Sequence, residues 1–280
     1  MTNLNVVACL IVLLVGNSVD CSAQSGQPAA VVQFEGIPAG PQPVRLQGYL
    51  RQPNGAALLP AVVMLHGCGG RADLLDQDWG AKIASWGYVT LTIDSFGPRG
   101  LKNTCASAAP LDLGFDAYRG LNFLVREPFV DPKRVALVGF SQGGWLTIWS
   151  VERGVIEQMS ENKFRAAAAF YPPCNGSKGV MTIPMLILIG ESDDWTPAEA
   201  CRKMVDRRDD WGISRQKGEG AVVRLVVYPG AYHGFDLPAF KTPVQYLGHH
   251  LEFSQSATDQ STDALREFLH ATIGGKEQAK

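Results

Sequence analysis

Residues 134–144 read RVALVGFSQGG, an apolar run that ends in a serine between glycines. The run is typical of a buried strand, and the following residues WLTIWSVERG can form a helix. Gly139, Ser141 and Gly143 fit the pattern G-x-S-x-G, in which the glycines allow a sharp strand-to-helix turn that exposes the serine hydroxyl. Because such a pentapeptide occurs by chance in roughly one chain in ten of this size, the flanking strand and helix patterns carry most of the evidence that Ser141 is a nucleophile. The alternative is a glycine-rich turn that happens to contain a serine.

Apolar runs and helical patterns alternate along most of the chain. The central runs are uniformly apolar, as in parallel strands that are covered on both faces. This alternation predicts an α/β fold with a mostly parallel central sheet and helices on both faces. We expect an extended lead-in at residues 24–43 and a single domain at residues 44–275, in which residues 236–260 form a surface excursion. The predicted strands are 44–50, 61–66, 88–94, 134–140, 166–171, 185–190 and 222–228, and the predicted helices are 78–86, 111–127, 142–153, 197–210 and 261–272.

Composition and charge exclude several classes of partner. The 280-residue chain is 46% hydrophobic and 19% charged, which is ordinary for a soluble globular protein. Its net charge of −2 gives no attraction to nucleic acid or anionic lipid, and Lys and Arg do not cluster into a basic patch. We therefore expect no nucleic-acid partner, while the oligomeric state stays open.

The N-terminus has the pattern of a secretory signal peptide. Residues 4–16, LNVVACLIVLLVG, are almost continuously apolar but fall short of the ~20 residues that span a bilayer as a helix. Cys21 and Ala23 fit a small-x-small cleavage site, so residues 1–23 are predicted to be removed during export to the periplasm or the medium. The exported protein would then have no stable membrane insertion. A lipid anchor on Cys21 is disfavoured by Asp20, and a buried N-terminal helix is the remaining alternative.

Export changes what the cysteines can do. Removal of residues 1–23 leaves four cysteines in an oxidising compartment, where disulfides form. Two pairs can be drawn in three ways, and spacing alone does not choose among them. No CxxC or HxxxH pattern is present, so the sequence predicts no metal site. The four cysteines are Cys68, Cys105, Cys174 and Cys201.

Residues that follow the later strands supply partners for Ser141. A serine hydroxyl needs a base and the base needs an orienting acid, and in folds of this type the acid comes next along the chain and the histidine last. Asp193 follows the apolar run that ends at Gly190, and His233 follows the last run. Asp194 competes with Asp193 for the role of the acid, and a loop position without a catalytic role is the alternative for Asp193 and His233.

Acyl transfer also requires donors for the negative charge that develops on the carbonyl oxygen. The backbone amide of Gln142, directly after the serine, is one predicted donor, and the amide of Cys68 in the stretch HGCGG is the other. The Cys68 thiol is disfavoured as a nucleophile because no strand-turn-helix pattern surrounds it. We therefore expect Cys68 to act through its backbone.

Five stretches together point to a known family. They read LHGCGG, DSFGPRG, DAYRGLNFLVREPFVDPKRVALVGFSQGG, GESDDWTP and YPGAYHGFD. Over about residues 44–272 the chain resembles the dienelactone hydrolase family of the α/β-hydrolase superfamily, which implies hydrolysis of esters or lactones without a metal or organic cofactor. The namesake enzymes carry cysteine where this chain has Ser141, and a glutamate in the region of His66 and Gly67. Their substrate, a small unsaturated lactone carboxylate, therefore does not carry over.

The resemblance extends to the cysteines and the pocket. In the usual strand order of this fold, each of two cysteine couples follows neighbouring strands, which predicts the disulfides Cys68–Cys105 and Cys174–Cys201. Arg99 is expected either to clamp a substrate carboxylate or to brace its own loop. Three aromatic residues are predicted pocket walls, with core packing as the alternative: Phe96, Tyr171 and Trp195.

The sequence thus predicts an exported serine hydrolase that acts on small carboxylic esters, thioesters or lactones. Ser141 would attack the carbonyl, His233 would transfer the proton and Asp193 would orient the imidazole. A peptidase of the same fold is the first rival, disfavoured because no large extra domain is evident to gate peptides. A hydrolase-fold protein that binds a ligand without turnover is the second, disfavoured because all three candidate residues are present.

Overall fold

Eight strands form one central sheet. They are Ala30–Glu35 (β1), Arg45–Arg51 (β2), Leu59–Leu65 (β3), Val89–Asp94 (β4), Val130–Phe140 (β5), Ala166–Phe170 (β6), Met185–Gly190 (β7) and Val223–Tyr228 (β8). Their order across the sheet is β1-β2-β4-β3-β5-β6-β7-β8. β2 pairs antiparallel with both β1 and β4, and every other pairing in this sheet is parallel. The structure, a computed structural model, describes residues 28–36, 44–54, 58–107, 111–206 and 219–274.

Helices connect the strands of the sheet. Those described are Ala72–Leu75 (α1), Ala81–Ser85 (α2), Asp116–Leu124 (α3), Gln142–Val151 (α4), Val155–Gln158 (α5), Ala198–Val205 (α6) and Gln255–Ile273 (α7). A π-helical turn, Asp76–Gly80, joins α1 to α2. Between β8 and α7 a small hairpin is formed by Val244–Tyr246 (β9) and His249–Leu251 (β10). In the described part of the chain, no helix combines the length and the apolar character needed to cross a membrane.

The middle of the sheet is covered on both faces. Every residue of β6 and of β7 is buried, and successive side chains of a strand point to opposite faces. Helix α4 packs against β5 and β6, and α7 packs against β5, β6 and β7. The sequence of β6, AAAAF, has small side chains that let neighbouring elements approach closely. The predicted α/β fold with a mostly parallel sheet is confirmed.

The N-terminal part of the described chain differs from the prediction. Strand β1 lies within the predicted lead-in, residues 24–43, and pairs along its whole length with β2. β1 is an edge strand in which only Phe34 is fully buried, so its apolar pattern is weak. The predicted signal peptide, residues 1–23, lies outside the described residues.

The predicted surface excursion, residues 236–260, contains regular secondary structure, and its residues 237–248 are mostly exposed. Residues 236–260 contain the hairpin β9–β10 and the first part of α7. Helix α7 begins at Gln255, earlier than the predicted residue 261, because Ser254 Oγ accepts the backbone N–H of Ala257 at 3.3 Å and caps the helix. The hairpin reaches back to the carboxyl edge of the sheet, where it borders the site described next.

Candidate active site

Ser141 stands at the sharp turn between β5 and α4. Its backbone has φ 53° and ψ −116°, a conformation that few non-glycine residues adopt. The flanking glycines make the turn possible. A Cβ on Gly139 would lie 2.1 Å from the carbonyl oxygen of Gly143, and a Cβ on Gly143 would lie 2.3 Å from the carbonyl oxygen of Leu65. The strand-turn-helix geometry expected from the sequence is therefore present, and no larger residue fits at either glycine.

His233 and Asp193 complete a line of hydrogen bonds with Ser141. His233 Nε2 lies 2.9 Å from Ser141 Oγ, and His233 Nδ1 lies 2.8 Å from Asp193 Oδ2. The other carboxylate oxygen, Asp193 Oδ1, accepts the backbone N–H groups of Trp195 and Thr196 at 3.0 and 2.7 Å. Because those two amides fix the carboxylate, Asp193 Oδ2 is held in place to accept a hydrogen bond from the imidazole N–H.

Thr196 is a member of this network that the sequence did not predict. Its hydroxyl oxygen lies 2.8 Å from Asp193 Oδ2 and 3.1 Å from His233 Nδ1. The same oxygen lies 3.0 Å from the carbonyl oxygen of Tyr171. Thr196 thus links the loop after β6 to both Asp193 and His233.

The competing carboxylate, Asp194, faces a different part of the molecule. Both of its carboxylate oxygens lie 3.2 Å from the backbone N of His250, and one lies 3.6 Å from His249 Nδ1. The Asp194 side chain is 48% exposed, whereas the Asp193 side chain is fully buried. Of the two adjacent carboxylates, the geometry brings Asp193 to the histidine and turns Asp194 towards the hairpin.

A second buried histidine near the site has a structural role. His66 Nε2 accepts the backbone N–H of Ser95 at 3.2 Å, and His66 Nδ1 donates to the carbonyl oxygen of Gly67 at 2.8 Å. Burial lowers the pKa of His66, so the neutral ring is favoured. His66 therefore joins the loops after β3 and β4 at the position where the namesake enzymes have a glutamate nearby.

The two predicted oxyanion donors lie beside Ser141 and are held by one residue. Cys68 and Gln142 both line the cleft that contains Ser141. The Thr104 backbone N–H donates to the carbonyl oxygen of Cys68 at 2.8 Å, and the Thr104 hydroxyl donates to Gln142 Oε1 at 2.7 Å. A disulfide joins Cys68 to Cys105, with the Cα atoms 4.8 Å apart. The loop that carries the Cys68 amide is thus anchored by a covalent bond and a hydrogen bond.

The cleft next to Ser141 has a volume of about 320 Å³. Of the three aromatic residues expected to form its walls, Trp195 lines it. Phe96 is buried and packs edge-on against His66, and Tyr171 is buried against His233, with ring centroids 4.6 Å apart in both cases. The lining residues are Cys68, Thr104, Cys105, Ser107, Ser141, Gln142, Trp145, Pro173, Trp195 and Thr196. A larger cavity of about 530 Å³ beside β2 and β4 shares none of these residues.

Arg99 is engaged by acidic side chains of its own neighbourhood. Its guanidinium pairs with Asp112 and with Asp116, and also donates to the carbonyl oxygen of Ser95 at 2.7 Å. Arg119, fully buried on α3, pairs with the same two carboxylates. All three guanidinium nitrogens of Arg99 are occupied, so the structure supports loop bracing, the second of the two alternatives for this residue.

A buried carboxylate anchors the loop that carries His233. Asp236 is 1% exposed, and its two oxygens accept the indole N–H of Trp79 at 2.7 Å and the hydroxyl of Tyr171 at 2.8 Å. Burial raises the pKa of Asp236, and the two donors act against that rise. Since Tyr171 also packs on the His233 ring, Asp236 fixes both the loop and the surface on which the imidazole lies.

The second disulfide lies behind the site. Cys174 and Cys201 are bonded, with Cα atoms 5.0 Å apart, and both are buried. The bond joins the loop after β6 to α6, the helix that follows Asp193. Both disulfides have the connectivity expected from the sequence.

The two disulfides are expected to differ in what their removal changes. Replacing Cys174 and Cys201 by alanine removes a bond across 27 residues, which should cost roughly 3.5 kcal/mol on the chain-entropy estimate and lower Tm by about 7–14 °C. The Cys68–Cys105 bond spans 37 residues, and replacing both cysteines by alanine should destabilise the protein by a similar amount. Only this second pair adjoins a predicted oxyanion donor, so kcat should also fall by about 10-fold or more. Calorimetry and ester turnover measured on both double variants test this difference, and a larger loss of kcat in the buried pair would contradict it.

At the carboxyl edge of a mostly parallel sheet, a serine at a strand-to-helix turn is hydrogen-bonded to a histidine, which is hydrogen-bonded to an aspartate. This arrangement places the chain among the serine hydrolases of the α/β-hydrolase fold. Its sequence matches the profile of the dienelactone hydrolase family over residues 46–271. The chain therefore belongs to the dienelactone hydrolase family, as the resemblance of its motifs implies.

Two solved structures of small hydrolases share this fold over nearly their whole length. A dienelactone hydrolase-like promiscuous phosphotriesterase, P91 from metagenomic libraries, has a TM-score of 0.68 and 17% identity, over 89% of this chain and 100% of that chain. The thermophilic esterase Est2 of Thermogutta terrifontis has a TM-score of 0.64 and 19% identity, over 90% and 95% of the two chains. At these identities the likeness shows a common fold.

Curated relatives match over a smaller part of their length. Acylamino-acid-releasing enzyme 1 of Oryza sativa subsp. japonica is 30% identical over 134 residues, which are 45% of this chain and 16% of that enzyme. The uncharacterized peptidase YuxL of Bacillus subtilis is 25% identical over 231 residues, which are 68% of this chain and 34% of that protein. The matched part of the chain thus spans about a sixth of the first relative and about a third of the second.

Proposed function

We propose that the protein cleaves small carboxylic esters, thioesters or lactones through Ser141, His233 and Asp193. The observation that carries this proposal is the continuous line of hydrogen bonds from Ser141 Oγ through His233 to Asp193, at 2.9 and 2.8 Å. With the Nδ1 proton of the imidazole held by the carboxylate, Nε2 is the acceptor and can take the proton of the serine hydroxyl.

The reaction then proceeds in two halves. Ser141 Oγ attacks the carbonyl carbon as its proton passes to His233 Nε2, and the amides of Cys68 and Gln142 donate to the negatively charged oxygen. The carbon–oxygen or carbon–sulfur bond breaks, the leaving group takes the proton from His233, and the acyl group stays on Ser141. Water attacks the acyl carbon with His233 as the base, which releases a carboxylic acid and restores the serine.

Peptide hydrolysis is the second candidate, because the rice and Bacillus relatives are named as an acylamino-acid-releasing enzyme and a peptidase. The matches cover only 16% and 34% of those proteins. The neighbours named as phosphotriesterase and esterase match over 100% and 95% of their lengths, and this likeness favours ester substrates.

We also propose that the protein works outside the cytoplasm, in the periplasm or as a secreted protein. The support is the pair of disulfides, since such bonds persist in oxidising compartments and are rare in reducing ones. The predicted signal peptide, residues 1–23, would supply the route of export.

Purified protein is expected to hydrolyse p-nitrophenyl acetate and to lose this activity on treatment with paraoxon, which phosphorylates the Thermogutta terrifontis esterase. Peptide mapping by mass spectrometry should place the phosphoryl group on Ser141, because its hydroxyl lies in the cleft and is hydrogen-bonded to His233 Nε2. EDTA should leave the rate unchanged, since no step of the proposed mechanism uses a metal. Cleavage of an N-acetylated amino-acid p-nitroanilide faster than of p-nitrophenyl acetate would favour the peptidase. A protein that cleaves neither substrate and is not labelled by paraoxon would favour a ligand-binding function.

A further inference from the structure

The cleft beside Ser141 is free of charged side chains among the described residues that line it. One part of its wall is apolar and is formed by Trp145, Trp195 and Pro173. The rest consists of neutral polar groups, including the hydroxyls of Thr104 and Ser107. A substrate in this cleft therefore meets indole rings, hydroxyls and backbone amides.

A carboxylate on the substrate would find no cation to pair with among the described residues that line this cleft. Arg99 is the residue that the sequence offers as a clamp for a substrate carboxylate. Its guanidinium instead donates to Asp112, Asp116 and a backbone carbonyl. Transfer of an unpaired carboxylate out of water is strongly unfavourable.

The two tryptophans of the cleft are held by stacking on rings outside it. Trp145, in the first turn of α4, stacks on Trp149 with ring centroids 5.5 Å apart and planes at 18°. Trp195, in the loop after β7, stacks on His249 of the hairpin at 4.9 Å and 11°. Rings fixed in this way present flat apolar surfaces at little cost in conformational entropy. Such surfaces favour a planar, unsaturated group in a ligand.

The size of the cleft limits what can accompany that group. Its volume of about 320 Å³ is at the lower end of the range of roughly 300–1,000 Å³ for small-molecule sites. One ring and a short acyl or alkoxy chain fit this description better than a long fatty chain does.

We propose that the site selects small uncharged esters that carry a planar aromatic or unsaturated group, and that it discriminates against esters that carry a carboxylate. This inference rests on the proposed function of Ser141, His233 and Asp193. It assigns Trp145 and Trp195 as the residues that recognise the planar group, and it separates this protein from enzymes whose substrate is a lactone carboxylate.

The charge part of the inference is tested with two substrates that share a leaving group, p-nitrophenyl butyrate and p-nitrophenyl hemisuccinate. They differ mainly in the terminal carboxylate, and kcat/KM should be about 30-fold or more higher for the butyrate. Ser107→Arg places a cation in the wall of the cleft and should narrow this ratio. A wild-type ratio near one, or faster cleavage of the hemisuccinate, would overturn the inference while leaving ester hydrolysis itself established.

The aromatic part is tested by the ratio of kcat/KM for benzyl acetate to kcat/KM for ethyl acetate. Trp145→Ala and Trp195→Ala should each lower the ratio by about 3- to 10-fold, and Trp195→Phe should retain most of it. Trp86→Ala is the matched control, since Trp86 lies at the end of α2 and does not line the cleft. A ratio is needed because the Trp195 ring lies 5.1 Å from that of His233, so its loss can also slow both substrates equally.

The outcomes separate the inference from the function on which it rests. An unchanged ratio in both alanine variants would contradict the role of the tryptophans. A wild-type protein that cleaves none of the four esters would contradict the proposed function and, with it, this inference. Thermal unfolding of each variant shows whether a change in rate comes with loss of the fold.

Discussion

Ser141→Ala is expected to lower kcat for p-nitrophenyl acetate by about 10⁴-fold or more while the protein stays folded. The alanine removes the only atom that can form the acyl-enzyme in the proposed mechanism. It leaves the backbone amides of Cys68 and Gln142 in place, so KM should change little. Stopped-time assays at high enzyme concentration, together with circular dichroism, measure the residual rate and the fold.

His233→Ala should be comparably damaging, and the double variant Ser141→Ala/His233→Ala should be no worse than either single variant, because the two residues act as one unit. Ser256→Ala, on the exposed side of α7, is a control for the substitution itself. Near wild-type turnover in Ser141→Ala would eliminate the mechanism. Losses that multiply in the double variant would show that Ser141 and His233 act separately.

Asp193→Asn should lower kcat by between about 10²- and 10⁴-fold. The backbone N–H groups of Trp195 and Thr196 point at one oxygen of Asp193, and in asparagine they would hold the carbonyl oxygen there. The amide NH₂ would then face His233 Nδ1 and could only donate to it. This favours the tautomer with the proton on Nε2, which cannot accept the proton of Ser141.

The adjacent Asp194→Asn is the matched comparison, since it makes the same chemical change one residue further along the loop. Asp194 contacts the hairpin residues His249 and His250 rather than His233. Its substitution should therefore change kcat by no more than a few-fold. A larger loss at Asp194 than at Asp193 in the same assay would reverse the assignment of the acid.

The sequence predicts the Ser141 turn well because its requirements are local. The clash that forces glycine at position 139 arises with Gly143, four residues away, and the apolar run before the turn reports burial in the sheet. The fold class follows from the alternation of apolar runs and helical patterns. By contrast, the choice between Asp193 and Asp194 depends on which backbone amides and which hairpin residues contact each carboxylate. These contacts arise only when the chain folds, so the sequence alone does not distinguish the two adjacent residues.

The walls of the cleft are harder to predict, because they are built from residues that converge from distant parts of the chain. Trp145 carries no motif of its own, and Phe96 and Trp195 look equally suited to a pocket in the sequence. For Arg99 a partial signal exists, since Asp116 and Arg119 have the i, i+3 spacing of a helical ion pair. Nothing in the sequence shows that Arg99 joins that pair, and so its two interpretations stay open until the loops are placed.

The strained backbone of Ser141 exposes its hydroxyl for catalysis but lowers the stability of the fold. A side chain held at φ 53° and ψ −116° costs about 1–3 kcal/mol, a sizeable part of the roughly 5–15 kcal/mol by which a domain is stable. Ser141→Gly would relieve this backbone strain and should give a more stable protein that lacks the nucleophile. Serine at this position therefore lowers the free energy of unfolding. Its presence marks a trade-off between stability and activity, in which the packing of the sheet offsets the strain that exposes the hydroxyl.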